Sequence, residues 1–377
     1  MSGSTLSIDL GLHSIKIGYA GLDESSLWAP DLVVPLLTKF RNLPGCSVLP
    51  VISHGSKIGY HDWEDKLKIL VHDFCTEDDS LSILFAVSVS LPVSAQSALL
   101  KLAMESLGCS NVYFAPHPVL SAVAHGMTNA TVLDCGHSHT SLCDIRDGVV
   151  DPGSIWSYSV SGTHITDCFV KGLKKENALE NKMSLLEDIN NFEFGVEGQI
   201  VRNIKQSTLF LHNQKDIQAI PTEQINFELP DKSFITVGKS RYNAPERLFS
   251  KENIYVSHNF GDQYSNKKGN IVDMFTNALQ NKKRLNAAID LVFAGGTSMI
   301  KGFDKRFGKE LRNTLSDAGC KRSIISIQTP VRRKPRKFSA WAGGAILGGM
   351  STMSPLWITS GDYEELGADS LSKRLFH

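Results

Sequence analysis

Apolar and polar residues alternate from Leu6 onward, and the period lengthens to a helical one further along, so strands and helices interleave in an α/β pattern. Leu6-Ser-Ile-Asp9 reads as a strand, Asp9-Leu-Gly11 as a turn, Ser14-Ile-Lys-Ile-Gly-Tyr19 as a second strand and Ala20-Gly21 as a second turn. The same order returns at Thr131-Val-Leu-Asp134, Cys135-Gly136, Thr140-Ser-Leu-Cys-Asp-Ile145 and Asp147-Gly148, a weak internal repeat. A further apolar strand, Asp290-Leu-Val-Phe293, runs into the glycine turn Ala294-Gly295-Gly296-Thr297-Ser298-Met299, with a helix such as Asp304–Leu315 after it. Ser94–Leu107 predicts an amphipathic helix with Ser94 as N-cap and Gly108 as its stop. Gly198–Leu211 carries Ile200, Val201, Ile204, Thr208 and Leu211 at helical spacing, leaving Arg202 and Lys205 on another face. Asn226–Pro230 and Ser233–Gly238 read as short strands joined by Asp231-Lys232, and polar Lys174–Asn191 as a surface segment.

The two hairpins carry the candidate chemistry. In each, an Asp ends an apolar strand and a Gly follows two residues later, where the missing Cβ lets backbone amides approach an anion. Facing each other, such hairpins would hold a polyphosphate, and Asp9 and Asp134 would orient the water shell of a bound Mg²⁺. One such turn occurs in many hairpins; the pairing is what gives weight to the reading. Gly295-Gly296 offers bare backbone to a base or ribose. Cys135, His137 and His139 alternate like metal ligands, but they lack a fourth partner and lie inside a phosphate loop.

Composition narrows the function classes. A chain of 377 residues with 42% hydrophobic content buries a substantial core. Lys+Arg and Asp+Glu both number 39, so no broad charge draws the chain to nucleic acid or to a membrane surface. Seven scattered cysteines with no Cys-x-x-Cys pair fit a reduced compartment, and no secretory signal pattern opens the sequence. Ala340–Ile358 is uncharged and long enough to span a bilayer, yet its glycines, hydroxyl residues and Pro355 predict a buried, broken helix instead. Arg332-Arg-Lys-Pro-Arg-Lys337 reads as a solvated loop before a helix at Ser339, with a nuclear address as the other reading.

Six ordered segments resemble the actin family over nearly the whole chain. They are Ile8–Gly21, Val132–Gly136, Phe227–Asp231, Arg241–Glu246, Ala294–Met299 and Lys337–Leu347, and the closing Trp357–Glu365 is similar to the family's C-terminal helix region. The resemblance implies an actin-like α/β fold: two RNase-H-like lobes around a nucleotide cleft. The small lobe would span 1–124 and 339–377, with a shortened subdomain 2 at about 24–62. The large lobe would span 125–338, with subdomain 4 at about 162–262. It also implies ATP with Mg²⁺ as ligands. Asp9, Gly11, Leu12, His13 and Lys16 fall on the first phosphate loop, and Asp134, Gly136 and His137 on the second. Arg202, Lys205, Gly295, Gly296, Thr297, Met299 and Lys337 fall on the adenosine side, while Asp9 and Asp134 reach the metal through water.

Several positions depart from that pattern. Leu12-His13 stands where the family has Ser-Gly, His137-Ser138 where it has Asp-Gly, and His117 and Ser141 where a glutamine and a histidine orient the attacking water. Losing both water-orienting groups predicts nucleotide binding with little or no hydrolysis, so no catalytic residue is assigned. Pro118 fixes φ at the lobe crossing and would restrict the hinge there. Loss of nucleotide altogether, with Asp9 and Asp134 kept as turn residues, is the other reading.

Within the family, Ala115-Pro116, Leu133–Gly136, Gly295–Phe303 and Gln328-Thr-Pro330 are similar to the pointed-end actin-related proteins of dynactin. That likeness implies a cytoplasmic, cytoskeletal subunit of a heteromeric complex, partnered by actin-like filament subunits and other pointed-end proteins. It implies no direct contact with nucleic acid. The segment Leu356–Glu365 is nearer to ordinary actin than that likeness implies. A nuclear chromatin-remodeller subunit and a filament-forming ATPase are the competing expectations.

Overall fold

The computed structural model describes residues 4–11, 14–21, 32–35, 67–68, 71–72, 80–176, 178, 196–212, 223–251, 255–258, 267–281, 288–317, 324–328 and 336–373. The chain divides into two units: residues 1–132, 144–152 and 328–377 form unit 1, and residues 133–143 and 153–327 form unit 2.

Unit 1 is built on a sheet that begins with the first predicted hairpin. Strands β1 (Thr5–Leu10) and β2 (Ser14–Tyr19) pair antiparallel, with Asp9 opposite Lys16. β3 (Leu32–Pro35) adds to β2; on the other side β4 (Ser82–Val87) runs parallel to β1, and β5 (Asn111–Pro116) runs parallel to β4. β1 is buried on both faces, which is why Ser7 and Asp9 are buried along with Leu6 and Ile8. The helix predicted with Ser94 as its N-cap has its N-cap two residues earlier, at Pro92 (φ −62°), and runs as α1 (Val93–Lys101). Its continuation, Leu102–Ser106, widens into a π turn before Gly108 ends it at φ +64°. Helix α2 (His117–Ala124) follows β5 directly, with Pro118 in its first turn.

The second predicted hairpin is β6 (Ala130–Cys135) and β7 (Thr140–Arg146), neighbours in a sheet with eight described strands. Two residues, Asp147 and Gly148, both at positive φ, turn β7 into β8 (Val149–Val150). The sheet continues through β9 (Trp156–Tyr158), which pairs antiparallel with β7.

Unit 2 then adds helices α3 (Gly162–Lys175) and α4 (Val196–Thr208) and the hairpin of β10 (Ile225–Glu228) and β11 (Phe234–Val237). That hairpin turns at Asp231-Lys232, as the sequence implies. Short helix α5 (Ser240–Asn243) comes next. The sheet is extended by β12 (Tyr255–His258), β13 (Lys267–Lys268), β14 (Ala288–Ala294) and β15 (Ile324–Gln328). Its covering helices include α6 (Ile271–Asn281) and α7 (Phe303–Asp317). Phe275, Phe293, Phe303 and Phe307 form the aromatic centre of the core; the last three have ring centroids within 5.9 Å of one another. Arg306 is buried beside them and forks onto both oxygens of Glu246, at 2.6 and 2.9 Å. Most of Lys174–Asn191 lies outside the described residues.

The chain returns to unit 1 as α8 (Ser339–Gly348), a 3₁₀ segment containing Pro355, strand β16 (Ile358–Thr359) on the edge of β5, and α9 (Ser360–Leu366). The uncharged stretch from Ala340 is thus a broken helix rather than a continuous one, buried in its first half and mostly exposed over 349–356. Among the described residues no helix is long and apolar enough to cross a membrane. Glycines set how closely α8 packs: a Cβ on Gly343 would collide with the Leu120 carbonyl of α2, and one on Gly344 with the Ser7 hydroxyl of β1. That hydroxyl donates to the Trp341 carbonyl at 3.0 Å.

Because the Leu120 backbone has nowhere to move, Gly343→Ala is expected to lower stability by about 1–3 kcal/mol. Gly361→Ala, whose Cβ would meet only Thr359 Oγ1 at 3.8 Å, is expected to change it by less than about 1 kcal/mol. Urea unfolding of the two variants against the parent chain makes the comparison.

Candidate functional site

In unit 1 the candidate chemistry is assembled by strand register. Asp9 stands opposite Lys16 across the β1–β2 pair, and the next two strands present Ala86 and Ala115 beside it. Small residues there leave room for His117, two positions beyond Ala115, to reach back. Lys16 Nζ lies 2.8 Å from Asp9 Oδ2 and His117 Nε2 lies 3.2 Å from Asp9 Oδ1, so each carboxylate oxygen faces a nitrogen. Gly11 makes space for this: a Cβ there would lie 2.8 Å from the Ser14 carbonyl and 2.9 Å from Lys16 Nζ. Burial alone would push the Asp9 carboxyl up, but the Lys16 ammonium and the His117 ring overcome it and hold the pKa at about 2, below the ordinary 3.8. Lys337 is in unit 1 too, exposed, with Nζ 4.7 Å from the Phe338 ring centroid. Leu12 and His13 lie outside the described residues, as does almost all of 24–62.

In unit 2 three turns converge. Gly136 N donates to the His139 carbonyl at 2.8 Å and closes the turn after β6. The carbonyls of Gly136 and His137 then accept from the first two amides of α3, Gly162 N at 3.1 Å and Thr163 N at 2.8 Å. Thr297 Oγ1 donates to the same Gly136 carbonyl at 2.8 Å, which brings in the third turn. Gly295, at φ +80°, comes so close that a Cβ would collide with the Cys135 carbonyl and lie 2.6 Å from Asp134 Oδ1. Only glycine takes that backbone conformation at that contact. Lys205, on α4, donates to Thr166 Oγ1 at 2.8 Å and to the Gly162 carbonyl at 3.3 Å. Arg202 is buried, whereas Gly296 and Met299 are exposed.

Asp134, Gly136, His137, Lys205, Gly295 and Thr297 are therefore gathered within unit 2, as Asp9, Gly11 and Lys16 are within unit 1. Sequence reasoning missed Gly162 and Thr166. The signal for them was Ser161-Gly162-Thr163, a capping residue and a small residue opening an amphipathic helix. It also missed that His117 contacts Asp9, which needed the alignment of β1, β4 and β5. Ser141 is buried inside β7, opposite Ser157. Among the described residues no three His, Cys, Asp or Glu side chains are grouped to hold a metal ion, and Cys135 is fully buried.

These two sets sit in an α/β chain with mixed sheets, and the sequence model of the family described as Actin matches residues 2–376. The chain belongs to the actin family. The assignment covers essentially the whole sequence and accounts for the two hairpins and the third glycine turn together. The magnesium that an actin fold implies is a poor fit at Asp9, because a lysine ammonium and a histidine ring already flank that carboxylate.

The Asp9 carboxyl titrates lower in the folded chain than in the unfolded one, so its contribution to stability is complete above the ordinary 3.8 and is lost as pH falls toward about 2. The shift corresponds to about 2 kcal/mol. Between about pH 4 and about pH 2 the native chain is expected to lose that much more stability than Asp9→Asn, as read by urea unfolding across the pH series.

Proposed function

We propose that this chain is a non-motile actin-related subunit that caps the pointed end of the actin-like filament of dynactin, in support of dynein-driven transport along microtubules. It binds ATP and turns it over little or not at all.

The observation that carries the reading is the shape of the C-terminal part of unit 1. After α8 the 3₁₀ segment Ser351–Leu356 turns Met353 and Trp357 inward, at 5% and 9% exposure, while Met350 and Leu356 each remain 39% exposed. A short anchored segment with exposed apolar side chains beside its anchors suits docking against a neighbouring subunit. By resemblance it belongs to the barbed-end cleft of actin, while the shortened segment at 24–62 removes the loop that actin inserts into the next subunit. A subunit with one competent end joins a filament and stops it.

Nucleotide binding is supported by the glycine turns and Lys205 of unit 2, whose bare backbone suits close approach of a nucleotide. Slow turnover is supported by His117 and Ser141, the first turned to Asp9 and the second buried in β7. Neither is set to hold a water in line for attack.

Purified from cells under mild salt, the tagged chain is expected to carry dynein-associated subunits. Chromatin-remodelling subunits in their place would favour a nuclear role. The pure protein is expected to retain ATP, release phosphate far more slowly than actin and remain unsedimented. Self-assembled filaments with actin-like phosphate release would replace the capping reading with that of an active ATPase.

A further inference from the structure

Asp9 is one of the two carboxylates that the family resemblance assigns to the water shell of a magnesium ion, and the residues around it do not suit that task. A hydrated dication is held by net negative charge and by carboxylate oxygens free to accept from its waters. Here Asp9 Oδ2 is 2.8 Å from Lys16 Nζ and Oδ1 is 3.2 Å from His117 Nε2, with the carboxylate 4% exposed and the lysine side chain 12% exposed. At that burial the Lys16–Asp9 attraction is screened little by water, and a dication placed beside the same carboxylate meets the lysine charge at close range.

The lysine is held in place. Its ammonium lies over Gly11, where even a Cβ would come within 2.9 Å, and its backbone is fixed opposite Asp9 by the strand register. His117 is equally constrained, as the first residue of α2, with the buried Pro118 next to it. The family glutamine at this position is neutral, and its amide oxygen is able to accept from a water. An imidazole whose nitrogen is directed at Asp9 offers neither the oxygen nor the space.

We infer that Lys16 and His117, by taking up both oxygens of Asp9, occupy the place a hydrated divalent cation needs there, so that the chain takes up ATP without requiring Mg²⁺. The inference rests on the ATP reading proposed above and adds a property of this chain's own residues to it. His117 is then a positioning residue that acts through Asp9.

Isothermal titration of the full chain, stripped of bound nucleotide, with ATP in excess EDTA and again in excess Mg²⁺ tests both. The two dissociation constants are expected to agree within about threefold. Binding weakened by about tenfold or more in EDTA overturns the inference and leaves the ATP reading standing. Absence of binding in both solutions overturns the ATP reading and the inference with it. His117→Gln, checked for an unchanged unfolding midpoint, is expected to acquire the missing dependence, binding ATP about tenfold more tightly with Mg²⁺ than in EDTA. If His117→Gln remains indifferent to Mg²⁺, the role given to His117 is wrong. Direct titration of nucleotide-free protein with Mg²⁺ alone supplies a second readout, with no binding expected for the native chain and measurable uptake at Asp9 overturning the inference.

Discussion

Close approach at glycines, where no Cβ fits, is the constraint on which both units depend. In unit 1, α8 lies against α2 and β1 only because Gly343 and Gly344 leave their surfaces bare. In unit 2, the turn at Gly295 lies directly on the Cys135 carbonyl, and Gly162 approaches His137 Cα to the point where a Cβ would be 3.0 Å away. Such contacts gain dispersion along their whole length and tolerate no added atom.

Electrostatics then divides the two sets. In unit 2 the carbonyls of the converging turns accept from α3 amides, from the Thr297 hydroxyl and from the Lys205 ammonium, with no carboxylate among them. In unit 1 a buried carboxylate is balanced by a lysine and a histidine from two other elements. A buried carboxylate is tolerable only with such balance, since an uncompensated one costs several kcal/mol. The histidine that takes part stands where the resemblance has a glutamine.

Much of this was legible in the sequence because it is local. The hairpins after Leu6 and Thr131, the Asp231-Lys232 turn and the broken helix after Ser339 each announce themselves by alternation, turn chemistry or glycine content within a few residues. What was not legible depends on residues far apart in the chain. Thr297 bonded to Gly136, and Lys205 bonded to Gly162 and Thr166, are products of the tertiary fold. The contact of His117 with Asp9 required knowing that β4 lies between β1 and β5. Helix boundaries were less certain for a local reason: Pro92 is a better first boundary than Ser94 as a cap, and the π turn at Leu102–Ser106 leaves no mark in apolar spacing.

β16 has a consequence for how the chain is made. Ile358 and Thr359 pair with Val112 and Asn111 at the start of the outer edge of β5, and Tyr363 fastens the following helix by donating to Glu105 at 2.8 Å. The ribosome releases β5 long before it reaches these residues, an interval on the order of tens of seconds at ordinary elongation rates. Throughout that interval an apolar strand stands with unpaired amides and carbonyls along one side, the template on which foreign strands add. The order of synthesis thus leaves the Asn111–Val112 edge without its native partner until Ile358 and Thr359 arrive.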